Sequence, residues 1–258
     1  MLIYLGTKFG YSFSIAYDNY HISCNFASEN QGMSKCDQCI VRDFSALKTL
    51  TKNEVIKLAD CKTTKTIKKG EMLFEEGAVI GGVFCVKDGV CKLTKLSRNG
   101  KDQIVKLVRR GELLGQRSMI SEEPSNLTAV ALQDMEVCFI PKTEVISFFN
   151  QNNQFSMSMM RSICGDLREA DDIMVHMAQK SVRERLAYAL LMLERDFGTN
   201  PNGSLQLHLT REELANMVGT ATESCIRLLS EFNKSGVIEI KGKEIYVRDH
   251  AQLKRMSE

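Results

Sequence analysis

The sequence predicts an α+β protein: a β-roll of the double-stranded β-helix (jelly-roll) type, then a long helix, then a winged helix-turn-helix. Three observations carry this reading. Between Thr63 and Pro141, short β-rich runs are punctuated by Gly70, Gly77, Gly81, Gly82, Gly89, Gly100, Gly111 and Gly115, the pattern of a sandwich or barrel. From Phe155 to Gln179 the apolar period turns helical and persists beyond the length of an ordinary surface helix. From Leu209 onward, two short helical patterns flank a glycine and precede apolar runs around a Lys-Gly-Lys turn. The implied divisions are 33–150 for the barrel, 151–180 for the long helix and 181–258 for the last domain.

Bulk properties leave room for all three parts. The chain has 258 residues, 43% hydrophobic and 26% charged, enough for two ordinary cores. A net charge of +2 does not announce a nucleic-acid binder, and residues 210–258 carry eight basic against eight acidic side chains. Any affinity for DNA must come from the placement of charge. Nine cysteines without a secretory cleavage pattern indicate a reducing cytoplasm. No apolar run is long enough for a membrane span. Residues 1–32 are rich in aromatics (Tyr4, Phe9, Tyr11, Phe13, Tyr17, Tyr20, Phe26) but lack periodicity. They read either as a disordered arm or as an extension upstream of a true start at Met33.

The expected strands include Val83–Val86, Val90–Leu96, Gln103–Val108, Leu127–Leu132 and Met135–Ile140, with a helix over Thr51–Asp60 before them. In the long helix, Met160, Ile163, Leu167, Ala170, Met174 and Met177 recur at alternating spacings of three and four. That is an a/d seam, and Asp166, Arg168, Glu169, Asp171 and Asp172 all fall off it. A helix packed on its own domain is one reading; a two-helix interface in a standing homodimer is the reading adopted. A further helix over Val182–Phe197 carries Leu186, Leu190 and Leu193 on one face, and a polar loop over Gly198–Gly203 follows.

The last segment is the most informative. Thr210 with Glu213 fits a capping box, Leu214, Ala215 and Val218 supply a buried face, and Gly219 permits a left-handed turn. Thr220 and Glu223 repeat the capping pattern and open a helix through Phe232. With Leu228, Leu229 and Phe232 inward, Thr222, Glu223, Ser224, Ile226 and Arg227 occupy the outer, N-terminal part of that helix, where base edges would be met in a major groove. Val237–Ile240 and Glu244–Arg248 flank Lys241-Gly242-Lys243 as a wing suited to phosphates. These features together predict double-stranded DNA as a partner, touched by Thr210, Thr222, Glu223, Ser224, Ile226, Arg227, Lys241 and Lys243.

From about Cys36 to Arg255 the chain resembles the CRP/FNR family of bacterial transcription regulators. The resemblance rests on Lys69-Gly70-Glu71-Met72-Leu73-Phe74-Glu75-Glu76-Gly77, Val86-Lys87-Asp88-Gly89, Gly111-Glu112-Leu113 and the E-x-x-x-R pattern in Thr222-Glu223-Ser224-Cys225-Ile226-Arg227. It implies a cyclic-nucleotide-binding-like β-roll, a homodimer on palindromic DNA with TTGA- or TGA-like half-sites, and contact with RNA polymerase through loops such as 97–102. It also implies that Glu223 and Arg227 read the G·C core of each half-site. The chemistry agrees, since Arg pairs bidentately with guanine and a carboxylate accepts from cytosine N4. Ile226 departs from the small residue usual there, and offers only apolar contact.

Four readings of the barrel's signal follow. Cyclic AMP in this family meets an Arg-Ser/Thr-Ala segment, and Ser125-Asn126-Leu127-Thr128-Ala129 has no guanidinium in that stretch, which argues against it. An iron–sulfur cluster is suggested by Cys36 and Cys39 as C-x-x-C, with Cys138 where oxygen-sensing members carry a distal ligand. Those members have one more cysteine where Ser45 stands, so Cys24, Cys61 or Asp43 would have to replace it. The bland alternative makes Cys138 a small core residue and the pair redox-labile thiols. Haem lacks a barrel histidine, since the four are His21, His176, His208 and His250; His176, Cys85 or Cys91 would have to serve. Otherwise the barrel takes an unidentified small molecule or none, and no cofactor is assigned. A cupin-like metal enzyme would need histidines, and residues 40–150 have none.

Overall fold

The computed structural model describes Cys36 and residues 39–97 and 100–258 of the chain. The 1–32 segment with Cys24 and His21, and a start at Met33, lie outside the described residues. Two 3-10 turns, Ile40–Phe44 and Ala46–Thr49, lead into helix α1 (Lys52–Cys61). Thr51 caps α1 in a reciprocal capping box with Glu54.

Eight strands follow: β1 (Thr63–Ile67), β2 (Met72–Phe74), β3 (Gly82–Asp88), β4 (Cys91–Leu96), β5 (Asp102–Val108), β6 (Leu113–Leu114), β7 (Thr128–Ala131) and β8 (Met135–Pro141). A short helix α2 (Gln116–Ser121) lies between β6 and β7. The strands form two four-stranded antiparallel sheets, ordered β1-β8-β3-β6 and β2-β7-β4-β5. The β-roll expected from the sequence is therefore present. Strand ends differ from expectation by a residue or so, because fraying ends carry no apolar signal.

Strand β3 is buried along most of its length, and the alternation of side chains explains why. Phe84 and Val86 point into the roll beside Val108, Met135 and Val137. Val83 and Cys85 point the other way, into a layer with Val55, Leu58, Val145, Phe148 and Phe155. A sheet covered on both faces needs a continuous apolar run, which Gly82–Val86 supplies. At the β3–β4 turn Gly89 has φ +88°, and a Cβ there would lie 2.4 Å from the Cβ of Met135. Only glycine fits.

Helix α3 (Lys142–Gln151) closes the roll and α4 (Asn153–Gln179) leaves it, 27 residues long, or roughly 40 Å at the helical rise. Asn152 joins them. Its side-chain Oδ1 accepts from the Phe155 N–H at 3.0 Å, and its side-chain Nδ2 donates to Glu54 Oε2 at 2.8 Å and to the Thr49 carbonyl at 3.0 Å. Glu54 also accepts from the Thr51 N–H (2.7 Å) and hydroxyl (2.8 Å). Burial alone would raise the Glu54 carboxyl, but these donors outweigh it and hold the pKa below its ordinary value of 4.5.

The C-terminal part comprises α5 (Val182–Phe197), α6 (Arg211–Val218), α7 (Thr222–Lys234), β9 (Ile238–Lys241), β10 (Glu244–Val247) and α8 (His250–Ser257). Leu186, Leu190, Leu193, Leu214, Leu229, Phe232 and Leu253 form its core, which also takes Val90 and Leu132 from the roll. Helix α8 was not singled out in the sequence; its signal was Asp249, whose carboxylate accepts from the Gln252 N–H at 2.8 Å. The second capping box expected at Thr220 and Glu223 is absent. The N-cap of α7 is Ala221, which has no side-chain acceptor, and the helix runs on to Lys234. The tight turn after Gly219 moves the helix start one residue past Thr220, out of capping register.

Asn152→Ala removes a helix cap and one donor to a buried carboxylate, and should destabilise the protein by about 1–3 kcal/mol in urea unfolding. Because the folded pKa of Glu54 lies below its unfolded value, its contribution is complete above about pH 4.5 and is lost as pH falls through the lower folded value. The deficit of the variant should shrink over that acid range.

Candidate nucleic-acid interface and barrel sites

The turn between α6 and α7 is built around Gly219, which has φ +68° and ψ +51°. Its N–H and that of Thr220 both return to the Ala215 carbonyl. Helix α6 starts at the Thr210–Glu213 capping box, so the Thr210 hydroxyl is engaged at Glu213, with Oγ1 to Oε2 at 3.1 Å. Along α7, Cys225, Leu228, Leu229 and Phe232 are buried while Glu223, Ile226 and Arg227 are exposed and Thr222 and Ser224 half-exposed. The five outer positions inferred from the sequence thus face out from one part of the helix. Arg227 is paired with Glu231 one turn on, at 3.4 Å, and Glu231 also binds Arg183 of α5 at 2.8 Å. Sequence reasoning missed Glu231 as the residue that orients Arg227; its i,i+4 spacing was the available signal.

Strands β9 and β10 pair antiparallel as a wing. Lys243 is exposed at the tip, and Lys241 pairs with Glu239 at 2.9 Å and lies 5.3 Å from the Tyr246 ring centroid. Arg248 also lies 4.8 Å from the same centroid and is paired with Glu239. Arg248 is a third wing cation, one that the sequence reading did not place among the DNA contacts.

The reading unit is docked on the roll. Lys92 of β4 pairs with Glu213 at 2.9 Å, both side chains more than four-fifths buried. Gln103 of β5 donates to the Met217 carbonyl at 3.3 Å. Arg185 of α5 donates to the carbonyls of Val218 (2.8 Å), Gly219 (3.5 Å) and Lys180 (2.5 Å), joining the helix-turn-helix to the end of α4. Burial by itself would raise the Glu213 carboxyl, but Lys92 and the Thr210 donors hold it below its ordinary 4.5.

Of the seam on α4, Met160, Leu167, Ala170 and Met174 are exposed and Ile163 and Met177 half-buried. Met177 turns toward its own reading unit, its Sδ 3.1 Å from where a Cβ on Gly219 would stand. Alongside α4, Ile163, Leu167 and Ala170 also line a cavity of about 530 Å³ with Phe74, Leu93 and Leu114 of the roll. Ser125, Asn126 and Leu127 reach this cavity, and so does Arg117 of α2, whose guanidinium donates to Asn126. Lys106 of β5 is surrounded by Asp166, Glu112 and Glu169, the latter two at 3.6 Å, binding the roll to α4. Neither Arg117 nor Lys106 was legible as a cavity residue, since the chain brings them there from distant segments.

The cysteines are distributed unevenly. Cys36, Cys39 and Cys138 line one small cavity, as the sequence suggested, and Cys85 lines it too. Cys85 and Cys138 are register partners on β3 and β8. Cys61 instead directs its thiol to the Leu58 carbonyl at 3.7 Å, and neither it nor Asp43 lines the cavity. Burial pushes the Cys85 thiol up to about 12. Arg42 and Lys62 complete the lining. Among the described residues, no three His, Cys, Asp or Glu side chains converge on a point that could hold one metal ion. Cys91 is buried inside the roll, and His176 packs edge-on against Tyr188 at 4.6 Å, between α4 and α5.

A β-roll followed by a docked helix-turn-helix and wing defines a class, the DNA-binding transcription regulator with a cyclic-nucleotide-binding-like sensor. The cyclic nucleotide-binding domain family matches residues 64–152, and the Crp-like helix-turn-helix domain matches residues 184–256. The chain is 31% identical over 195 residues to the transcriptional activator protein Anr of Pseudomonas protegens, covering 74% of this chain and 79% of that one. It is 27% identical over 226 residues to the fumarate and nitrate reduction regulatory protein of Escherichia coli, covering 86% and 90%. Its fold is similar to that of FixK2 from Bradyrhizobium japonicum, with a TM-score of 0.69 at 24% identity over 76% of this chain and 98% of that one. A putative crp/fnr-family regulator from Eubacterium rectale gives 0.70 at 19% identity over 83% and 99%. The chain belongs to the CRP/FNR family of transcription regulators. None of the helices among the described residues is long and apolar enough to cross a membrane.

Glu213→Gln keeps a side chain able to cap α6 but removes the charge facing Lys92. It should lower stability by about 1–2 kcal/mol in urea unfolding, and Lys92→Met on that background should restore part of the loss by removing the orphaned ammonium.

Proposed function

We propose that this regulator acts as a cytoplasmic homodimer that sets two copies of α7 into successive major grooves of a palindromic DNA site. The observation that carries this reading is the division of α7. Glu223, Ile226 and Arg227 stand outside, while Cys225, Leu229 and Phe232 anchor the helix from within. Arg227 pairs with guanine, Glu223 accepts from cytosine, and Ile226 meets a thymine methyl. Thr222, Ser224 and Thr210, with Lys241 and Lys243 of the wing, contact phosphates and sugars, which fix register. The exposed apolar seam of α4 supplies the twofold interface, with half-sites about one helical turn apart.

The signal acts through the cavity between the roll and α4. An occupant there alters the packing of Ile163, Leu167 and Ala170 and so the spacing of the two reading units. A coupling of about 1–3 kcal/mol changes DNA affinity about 5- to 150-fold. Cyclic AMP is disfavoured by the Ser125–Ala129 stretch, which has no guanidinium; the cavity's guanidinium is Arg117 of α2, which pairs with the neutral amide oxygen of Asn126. RNA polymerase is the expected protein partner, through exposed loops of the roll. Regulation of transcription is the role, as it is for the regulators to which the chain is similar.

A second reading of the signal, an iron–sulfur or thiol-based oxygen and redox sensor, is favoured by the cysteine cavity. The donor set is chemically apt, and two cationic side chains beside thiols suit an occupant whose ligands are thiolates. Cys36, Cys39 and Cys138 would hold such a group, and it would supply a redox-dependent charge and shape next to α1 and the root of α4.

Arg227→Ala should cost about 1–3 kcal/mol of DNA binding and relax preference at one base position in fluorescence anisotropy across substituted half-sites. Equal loss on every sequence would contradict direct readout. Leu167→Glu puts a carboxylate into the seam and should yield a monomer in analytical ultracentrifugation with DNA binding lost; an unchanged dimer would remove α4 as the interface.

A further inference from the structure

We propose that Cys85 is the fourth ligand of a thiolate-held metal centre, completing the set begun by Cys36, Cys39 and Cys138; this rests on the second reading of the signal given above. The sequence alone left the fourth position open, with Ser45 where a cysteine was wanted and Cys24, Cys61 or Asp43 as substitutes. In the fold the vacancy is filled from a different direction. Strand β8 carries Cys138, its register partner on β3 is Cys85, and both side chains leave the sheet on the face toward the 3-10 turns and α1. Cys36 and Cys39 come to the same cavity from the segment that crosses that face. Cys61 and Asp43 do not reach it.

Cations mark the cavity as a place for negative charge. Arg42 lines it, and Arg42 Nε is buried with no hydrogen-bond partner among the described residues, its nearest carboxylate oxygen being Asp43 Oδ1 at 4.0 Å. A buried guanidinium N–H without an acceptor is costly. Lys62 lines the same space. Four neutral thiols give these two cations little to bind, whereas four thiolates around a metal centre give charged sulfur acceptors to both. The sulfurs do not converge on one point. In a multi-iron cluster each thiolate takes its own iron, so sulfurs ring the centre; a single tetrahedral zinc would draw all four inward. The open space measures only about 30 Å³, so either occupant requires the lining side chains to move outward. On binding, each thiol loses its proton to solvent and forms one sulfur–metal bond, with no change of oxidation state.

The test uses the full chain purified without oxygen and reconstituted with equal amounts of ferrous and ferric iron plus sulfide or, separately, with zinc. Iron, sulfide and zinc per chain and the visible absorption spectrum are measured for wild type, Cys85→Val, Cys85→Ser, Cys36→Ser and Cys61→Ser. The expected result is a loaded wild type and Cys61→Ser, loss of metal in Cys85→Val and Cys36→Ser, and a shifted spectrum in Cys85→Ser, whose oxygen can stand in for sulfur. Apo-protein melting curves separate loss of metal from loss of fold, and if Cys85→Val does not fold, the Cys85→Ser spectrum decides. Full metal content with an unchanged spectrum in the Cys85 variants overturns the assignment while leaving the sensor reading intact. A wild type that takes up neither iron–sulfur nor zinc overturns both.

Discussion

The direction in which α4 leaves the roll is the constraint on which the rest of this molecule depends. It is set by one buried residue, Asn152, which caps α4 and at the same time ties the α3–α4 junction to Glu54 and to the Thr49 carbonyl. Phe155 and Met159, both buried, then hold the first turns of α4 against the layer outside β3. Everything beyond is a lever on that root. A small rotation there displaces the far end of the helix by a distance that grows with its length, and the reading unit sits at the far end.

Two further ties make the lever more than a spacer. Lys106 joins β5 to α4 through Asp166 and Glu169, and Arg185 joins the end of α4 to the carbonyls that close the helix-turn-helix. With Lys92–Glu213 and Gln103–Met217, the roll touches the reading unit directly as well as through α4. Losing one partner of a well-buried pair strands the other charge and costs more than the same loss at the surface. The roll, α4 and the reading unit therefore share one set of polar contacts. That is the physical content of a sensor linked to a DNA reader.

The candidate sites were legible in the sequence to different degrees. The outer face of α7 was readable because helical periodicity places every fourth residue, and the buried Leu228, Leu229 and Phe232 left few alternatives for Glu223 and Arg227. The seam of α4 was readable for the same reason, although only contact with Gly219 reveals that Met177 serves its own reading unit. The helix cap was readable at Thr210 and misleading at Thr220, where a turn one residue longer shifted the register, while the caps at Thr51 and Ser181 were not read from the sequence. Glu231 and Arg248 were overlooked because each acts by orienting or supplementing a neighbour.

What the sequence determined by itself was local: strand alternation, helix faces, capping pairs, the left-handed glycine and the recognition pattern, all set by residues a few positions apart. What only tertiary structure decided was convergence between distant segments. Cys85 reached Cys36 and Cys39 because sheet pairing put it opposite Cys138, Arg117 reached Asn126 because α2 and the segment before β7 line the same cavity, and Lys92 reached Glu213 because the reading unit docks on β4. The reason is that local pattern specifies which way a side chain points along its own element, whereas the packing of whole elements specifies what it meets.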